Sequence, residues 1–299
     1  MSSTSRDFPG TKIILVTGGA GHIGSHVIEQ LVQDPINHVI SLDNYSNGSE
    51  DNHIEGADYR RGHTKDISSL VPETPDIVYH LGEYARIAPS FSEPARVVDL
   101  NIVGTSAVVE YCRQRAVAKL VYAGSSTKFA DNGTGRDQSP YAFSKATNVD
   151  LIKNYGKWYK LPFAICYFYN AFGPREKADE KYGTVIANFE KAYLQGKPLP
   201  VTLPGTQKRN FTYVGDLARG IILTGEKGEG DGYALNNLQT HSIIEIAETF
   251  GGPIEFMDGN PGRMGSSDSP TKARDELGWE TTVDVIDYIK KFVAEHPRN

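Results

Sequence analysis

The reading of the fold turns on the stretch Lys12-Ile13-Ile14-Leu15-Val16-Thr17-Gly18-Gly19-Ala20-Gly21-His22-Ile23-Gly24. Its first half is a short, β-branched apolar run, the pattern of a strand buried on both faces of a parallel sheet. Its second half sets glycines at 18, 21 and 24, after which Ile23, Val27, Ile28 and Leu31 recur at helical spacing. A strand, a glycine turn and a helix start therefore follow one another without a gap. Gly18 suits a sharp turn, Gly21 lets a pyrophosphate approach the backbone, and Gly24 lets the helix pack against the sheet. The helix N-terminus, with His22 and Ile23 in its first turn, presents N–H groups to phosphate oxygens.

The next stretch sharpens this. Val39-Ile40-Ser41-Leu42 reads as a second strand and ends on Asp43, nineteen residues after Gly24, with Asn44 opening the turn to Gly48. A carboxylate at that place accepts hydrogen bonds from both ribose hydroxyls of an adenosine and repels a 2′-phosphate. Strand, glycines, helix and acid in register predict dinucleotide binding, with NAD preferred over NADP.

Length and composition set bounds around this core. The chain has 299 residues, enough for one large domain or two intimate ones, and no apolar run approaches a membrane span. Met1–Pro9 is Ser/Thr-rich without an apolar core, which predicts a frayed leader rather than a signal peptide or an anchor. Two cysteines, Cys112 and Cys166, show no metal or redox spacing and read as buried small hydrophobes in a reducing, cytoplasmic compartment. A formal charge of −6 with no basic stripe argues against a nucleic-acid partner. His22 and His26 lie four apart but lack the glutamate of a metal-binding helix, so no metal is expected.

Along the chain, strands and helices alternate. Ala57–Arg60 reads as a third strand leading to Asp66-Ile67, where the pair could flank an adenine or simply cap a helix. Ile77–Leu81 is the fourth strand, running into Gly82-Glu83-Tyr84, and a helix from Pro94 to Arg115 carries Asn101 inside it. Lys119–Ala123 is the fifth strand, opening onto Gly124-Ser125-Ser126, and a helix runs from Tyr141 to Lys160. Phe163–Tyr169 is the sixth strand. This alternation means right-handed crossovers and a Rossmann-like, doubly wound parallel α/β sheet. We expect a dinucleotide-binding domain over residues 1–168, re-entered around 210–240, and a smaller α/β lobe over 169–299. In the latter, Tyr182–Gln195, Ile243–Phe250 and Val283–Ala294 read as helices, Asp216 caps another, and Glu226–Gly232 is a surface loop.

Tyr141 and Lys145 stand four apart at the start of a helix and so share a face. Tyrosine ordinarily titrates near 10. A neighbouring ammonium and an oxidised nicotinamide ring both favour the phenolate. With Ser125 at the end of the fifth strand, a base, its tuning cation and a hydroxyl for the substrate oxygen converge at the nicotinamide end of the crevice.

These marks together resemble the extended short-chain dehydrogenase/reductases, in the nucleotide-sugar epimerase/dehydratase group. The match runs through Thr17–Gly24, Asp43-Asn44, Asp66-Ile67, His80-Leu81-Gly82, Asn101–Thr105, Ser125 and Tyr141–Lys145. It continues through Tyr169–Arg175, Arg209–Val214 and Leu277-Gly278-Trp279, spanning nearly the whole chain. The resemblance implies an NAD held by the glycine corner, Asp43, Asn44, Asp66, Ile67, Leu81, Gly82, Asn101, Tyr141 and Lys145. It implies catalysis by Ser125, Tyr141 and Lys145, a diphosphate clamp of Arg209 and Arg263, and substrate contacts from Asn170, Ser126 and Glu83. Arg263 sits in a loop-like stretch where a surface ion pair competes with that role. The resemblance further implies a homodimer through the helices after the fourth and fifth strands.

Departures from the group narrow the chemistry. Where its dehydratases carry an Asp-Glu pair, this chain has Ser126 and Thr127, and the glutamate of its sugar-acid decarboxylases is also missing. Hydroxyls cannot replace those carboxyls as general acid and base. Glu83-Tyr84 is more polar than the group's usual apolar pair and is expected to add a carboxylate near the sugar. The reading is a 4-epimerase of a nucleotide-diphosphate sugar, a UDP-hexose above others, working through a 4-keto intermediate. The rivals are a 4-oxidoreductase or keto-sugar reductase that releases an altered product, and a non-catalytic dinucleotide sensor.

Overall fold

A computed structural model describes residues 10–127, 135–179, 183–259 and 270–298. Its centre is a seven-stranded parallel sheet. The strands in chain order are β1 (Lys12–Thr17), β2 (Asn37–Asp43), β3 (Ala57–Arg61), β4 (Ile77–His80), β5 (Lys119–Ser125) and β6 (Phe163–Phe168). After β7 (Asn170–Phe172), β8 (Leu199–Thr202) and β9 (Lys208–Tyr213), the chain returns to the sheet as β10 (Gly230–Leu235). The spatial order is β10-β6-β5-β4-β1-β2-β3. The order reverses between β1 and β4, and in such sheets ligands sit in the crevice at that switch point.

The apolar run of β1 works as its composition demands. Successive side chains of a strand point to opposite faces. Ile13 and Leu15 pack on one face with Val108, Val109, Val149 and Ile152. These come from the helices Gly104–Gln114 and Pro140–Tyr159. Ile14 and Val16 pack on the other face with Val27, Ile28, Leu217 and Ile221. Those belong to the helices His22–Leu31 and Val214–Lys227. Both faces are covered, so the sheet is doubly wound. Each such side chain contributes about 1.5–3 kcal/mol by leaving water. The helix after β4 is not uniform: Pro94–Val97 passes through a π-helical segment, Val98–Val103, before Gly104–Gln114.

The lobe is built from β7, β9 and β11 (Thr240–Ser242), in the order β11-β9-β7, and a parallel pair of β8 and β12 (Ile254–Met257). Phe172, Phe189, Phe211, Ile246, Phe250 and Ile289 form its core. The helix expected from Tyr182, itself outside the described residues, runs Val185–Leu194 after Thr184.

Two expectations fail here. The predicted loop Glu226–Gly232 instead enters the main sheet, because Gly230–Leu235 pairs with β6 in parallel. Glycines at 230 and 232 hide the strand pattern, and a register irregularity between Asp231 and Tyr233 accommodates them. Tyr167 on β6 then donates its phenol to Asp231 at 2.5 Å. Asp216, expected to cap a helix, lies inside the first turn of Val214–Lys227. Its buried carboxylate accepts from the Thr282 N–H (2.7 Å) and hydroxyl (2.8 Å), the Val283 N–H (3.1 Å) and Arg219 (2.9 Å). It ties the C-terminal segment to the sheet. Asp216→Ala is expected to lower unfolding free energy by about 3 kcal/mol, because several charge-assisted hydrogen bonds go at once. Urea denaturation measures this; a loss below about 0.5 kcal/mol, as for a surface substitution, would contradict the anchoring role.

Candidate active site

The glycine corner is tightly specified. Gly18 has φ +73°, and a Cβ on it would stand 2.7 Å from the Gly82 Cα in the loop after β4. A Cβ on Gly24 would meet the Gly18 carbonyl oxygen at 2.1 Å, so its absence sets how closely the helix packs on the turn. Gly21 precedes the helix with no side-chain cap. Asp43 at the end of β2 closes the corner: its carboxylate accepts from the N–H groups of Ala20 (3.0 Å) and Tyr45 (2.8 Å). Burial pushes its carboxyl above the usual value, against the pull of those two N–H groups. Each carboxylate oxygen keeps acceptor capacity for a hydroxyl.

A cleft of about 370 Å³ opens over this corner. Gly18, Gly21, His22 and Ile23 line it, as do Asp43 and Asn44 on one side and Leu81 and Gly82 on the other. At its far end stand Ser125, Ser126, Tyr141, Lys145 and Asn170. Their placement follows from local structure. Ser125 ends β5, where its Oγ accepts from the Thr127 hydroxyl at 3.0 Å. Ser139 caps the next helix by accepting from the Ala142 N–H at 3.0 Å, which starts that helix with Tyr141 in its first turn and Lys145 one turn on. A second cavity of about 320 Å³ adjoins, sharing Asn170, Ala171, Arg86 and Thr184 with the first and adding Arg209.

Several expected residues lie elsewhere. Ile67 is 1% exposed in the core beneath the sheet, so it has no face to offer an adenine. Asp66 is exposed and does not line the cleft; Gly62 and Thr64, just past the end of β3, stand there instead. Asn101 is fully buried. Its carboxamide accepts from the Tyr84 N–H (2.6 Å) and donates to the Tyr84 carbonyl (3.1 Å) and Ser144 (2.9 Å), clamping the loop after β4. Glu83 lines the cleft, but its side chain is 1% exposed and paired with Lys145 rather than open to the cavity. Arg263 lies outside the described residues.

Other lining groups escaped sequence reading. Gly62 and Thr64 had a signal, since loops at the C-terminal ends of strands form the site in this architecture. Glu176 had none: it follows the Gly173-Pro174 break, and tertiary packing brings it within 3.9 Å of His22. Burial raises the Glu176 carboxyl to about 7 and lowers the His22 imidazole to about 3, so at neutral pH the imidazole is uncharged and the carboxyl is about half protonated.

Parallel strand order, a glycine corner with its acid, and a phenol, an ammonium and a hydroxyl at one end define a dinucleotide-dependent enzyme of the short-chain dehydrogenase/reductase type. The NAD dependent epimerase/dehydratase family matches residues 14–236, and the chain belongs to that family. UDP-glucuronic acid decarboxylase 6 of Arabidopsis thaliana is 30% identical over 93% of this chain and 87% of its own length. A putative UDP-glucose 4-epimerase of Methanocaldococcus jannaschii is 27% identical over 94% and 97%. Among solved structures, the UDP-glucose 4-epimerase of Thermotoga maritima with UDP-glucose superposes with a TM-score of 0.87 at 26% identity, over 94% of this chain and 97% of that one. The Thermus thermophilus UDP-glucose 4-epimerase with NAD gives 0.84 at 27%, over 95% and 98%. The protein is thus an NAD-dependent enzyme of this family.

Under the cleft floor, His80 is enclosed. Its Nδ1 lies 2.7 Å from the Thr17 hydroxyl and its Nε2 2.8 Å from that of Thr105. Burial lowers His80 from 6.5 to about 4. Because the folded value lies below the unfolded one, the unfolded chain takes up the proton first. The contribution to stability is whole above pH 6.5 and is lost as pH falls through 4. That loss amounts to up to about 3 kcal/mol. Urea denaturation at pH 7 and pH 4.5 should show a loss larger in the native protein than in His80→Gln by about 2–3 kcal/mol; equal losses in both would refute the assignment.

Proposed function

We propose that the protein is a 4-epimerase of a nucleotide-diphosphate sugar, a UDP-hexose above others. The convergence of Ser125, Tyr141 and Lys145 on the cleft that begins at Gly18 carries this reading. In it, Asp43 holds the adenosine ribose and the N-terminus of His22–Leu31 faces the pyrophosphate. NAD, held by these residues, would supply a reversible hydride acceptor for the sugar C4. Tyr141 removes the proton from the 4-hydroxyl and later returns it, Ser125 hydrogen-bonds the oxygen between the two steps, and Lys145 supports the phenolate and the nicotinamide ribose. Arg209 takes the diphosphate in the adjoining cavity, with Asn170 at the junction. That anchor leaves the hexose loose enough to present its other face.

The UDP-glucose and NAD in the Thermotoga and Thermus structures support this assignment. Similarity to decarboxylases does not extend to their chemistry, because Ser126 and Thr127 supply hydroxyls and no carboxyl beside Ser125. Cys112 and Cys166 are buried and unbridged, which fits a cytoplasmic enzyme, and no described helix is long and apolar enough to cross a membrane.

Incubation with UDP-glucose, UDP-galactose and their N-acetyl and uronate forms, read by NMR, should give the C4 epimer of one of them without absorbance growing at 340 nm. Tyr141→Phe should lower kcat at least about a hundredfold, the scale of lost general-base catalysis. NADH accumulating with an altered product would favour the oxidoreductase instead, and unchanged behaviour of Tyr141→Phe would favour a sensor.

The proposal includes a homodimer. Val98, Val103 and Phe143 are 47%, 44% and 49% exposed on the helices after β4 and β5, where a second copy would cover them. Light scattering should give twice the mass of one chain, and Val103→Lys should shift it to one; a monomeric native protein would refute this part.

A further inference from the structure

Beneath the catalytic group lies a buried carboxylate with no role so far. Glu83 follows β4, and its Oε2 is ion-paired with Lys145 Nζ; the two side chains are 1% and 6% exposed. Its Oε1 accepts from Asn148 Nδ2 (2.7 Å), the Thr105 hydroxyl (2.9 Å) and the Tyr122 phenol (3.1 Å). A carboxylate only accepts, so the direction of the whole chain of hydrogen bonds follows. Thr105 spends its proton on Glu83, and therefore accepts from His80 Nε2. His80 Nδ1 then accepts from Thr17, whose oxygen takes the N–H groups of Leu81 (3.1 Å) and Gly82 (3.0 Å). A ladder of donors thus runs from the glycine corner and ends on Glu83.

The titratable groups around the pair are His80 from β4, Tyr122 from β5, Cys166 from β6 and Tyr141 from the helix of Lys145. Burial holds His80, Tyr122 and Cys166 in their uncharged forms. Among the described residues, the lysine's countercharge at this depth is therefore Glu83. Lys145 has three N–H donors; one is spent on Glu83 and another on the Ala123 carbonyl at 2.7 Å.

We infer that Glu83 is a positioning residue: its carboxylate balances the charge of Lys145 and pins the ammonium below the cleft, so that the remaining N–H faces the reacting end. The consequence for catalysis rests on the role proposed for Lys145, but the pairing itself does not. Removing one member of a buried ion pair leaves the other uncompensated, and this costs more than removing both.

Two experiments test this with neither sugar nor cofactor, so the outcome is separable from that of the epimerase assay. In a double-mutant cycle, Lys145→Met and Glu83→Gln should each lower Tm, and the double variant should recover part of the combined loss; strictly additive losses would overturn the pairing. In the second, acetic anhydride labels lysines at pH 8 and peptide mass spectrometry reads Lys145. An amine engaged as an ion-paired donor has no lone pair with which to attack. Labelling should therefore be slow in the native protein and in Glu83→Asp, and at least about fivefold faster in Glu83→Gln. Equal rates in native protein and Glu83→Gln would overturn it, and Glu83→Asp keeps the test available should the glutamine variant fold poorly.

Discussion

Two backbones meet where the sheet reverses its strand order, and the rest of the molecule is arranged around that contact. Gly18 after β1 and Gly82 after β4 approach so closely that neither tolerates a Cβ without movement. Side chains at either position would push the loops apart, and the cleft between them would lose its floor. Close approach also brings the N–H groups of Leu81 and Gly82 onto the Thr17 hydroxyl, so the contact is hydrogen-bonded as well as packed. Interiors at crystal-like density do not absorb such a displacement locally.

From that point the architecture divides labour between a rigid half and a shaping half. The parallel sheet, buried on both faces, fixes the ends of β1, β2, β4 and β5 relative to one another. The residues at those ends, Asp43 and Ser125, inherit that rigidity. The lobe built on β7, β9 and β11 adds Arg209 and, with Asn170, a second cavity that continues the first. In the proposed reading, a cofactor held by the sheet and a substrate held by the lobe meet across one cleft. This is the geometry that a reversible hydride transfer requires, with one partner fixed and the other able to turn.

Polar groups below the floor show how such a site is kept in register. Asn101, Asn148, Thr105 and His80 touch no solvent, yet each is hydrogen-bonded to a neighbour that shapes the cleft. Half-satisfied buried networks are costly, whereas connected ones rigidify. The π-helical segment at Val98–Val103 carries Asn101 within it as a buried residue.

Local pattern read well wherever backbone chemistry decides. The alternation of β1, the glycine spacing, the acid ending β2 and the tyrosine–lysine pair at a capped helix start were all legible, because each is a short-range constraint. Reading failed where a side chain's partner lies far along the chain. Ile67 matched a motif yet packs into the core, Asp216 looked like a cap yet holds residues 282 and 283, and Gly230–Gly232 looked like a loop yet pairs with β6. Glu83 was read as a substrate ligand because sequence places it beside the cleft without saying which way it points. The amino-acid order alone determined the class of fold and the kind of cofactor, since periodicity and glycine positions act within a few residues. Only the tertiary structure decided which polar side chains face the cleft and which support it from below, because burial and partnership arise when residues tens of positions apart are packed together.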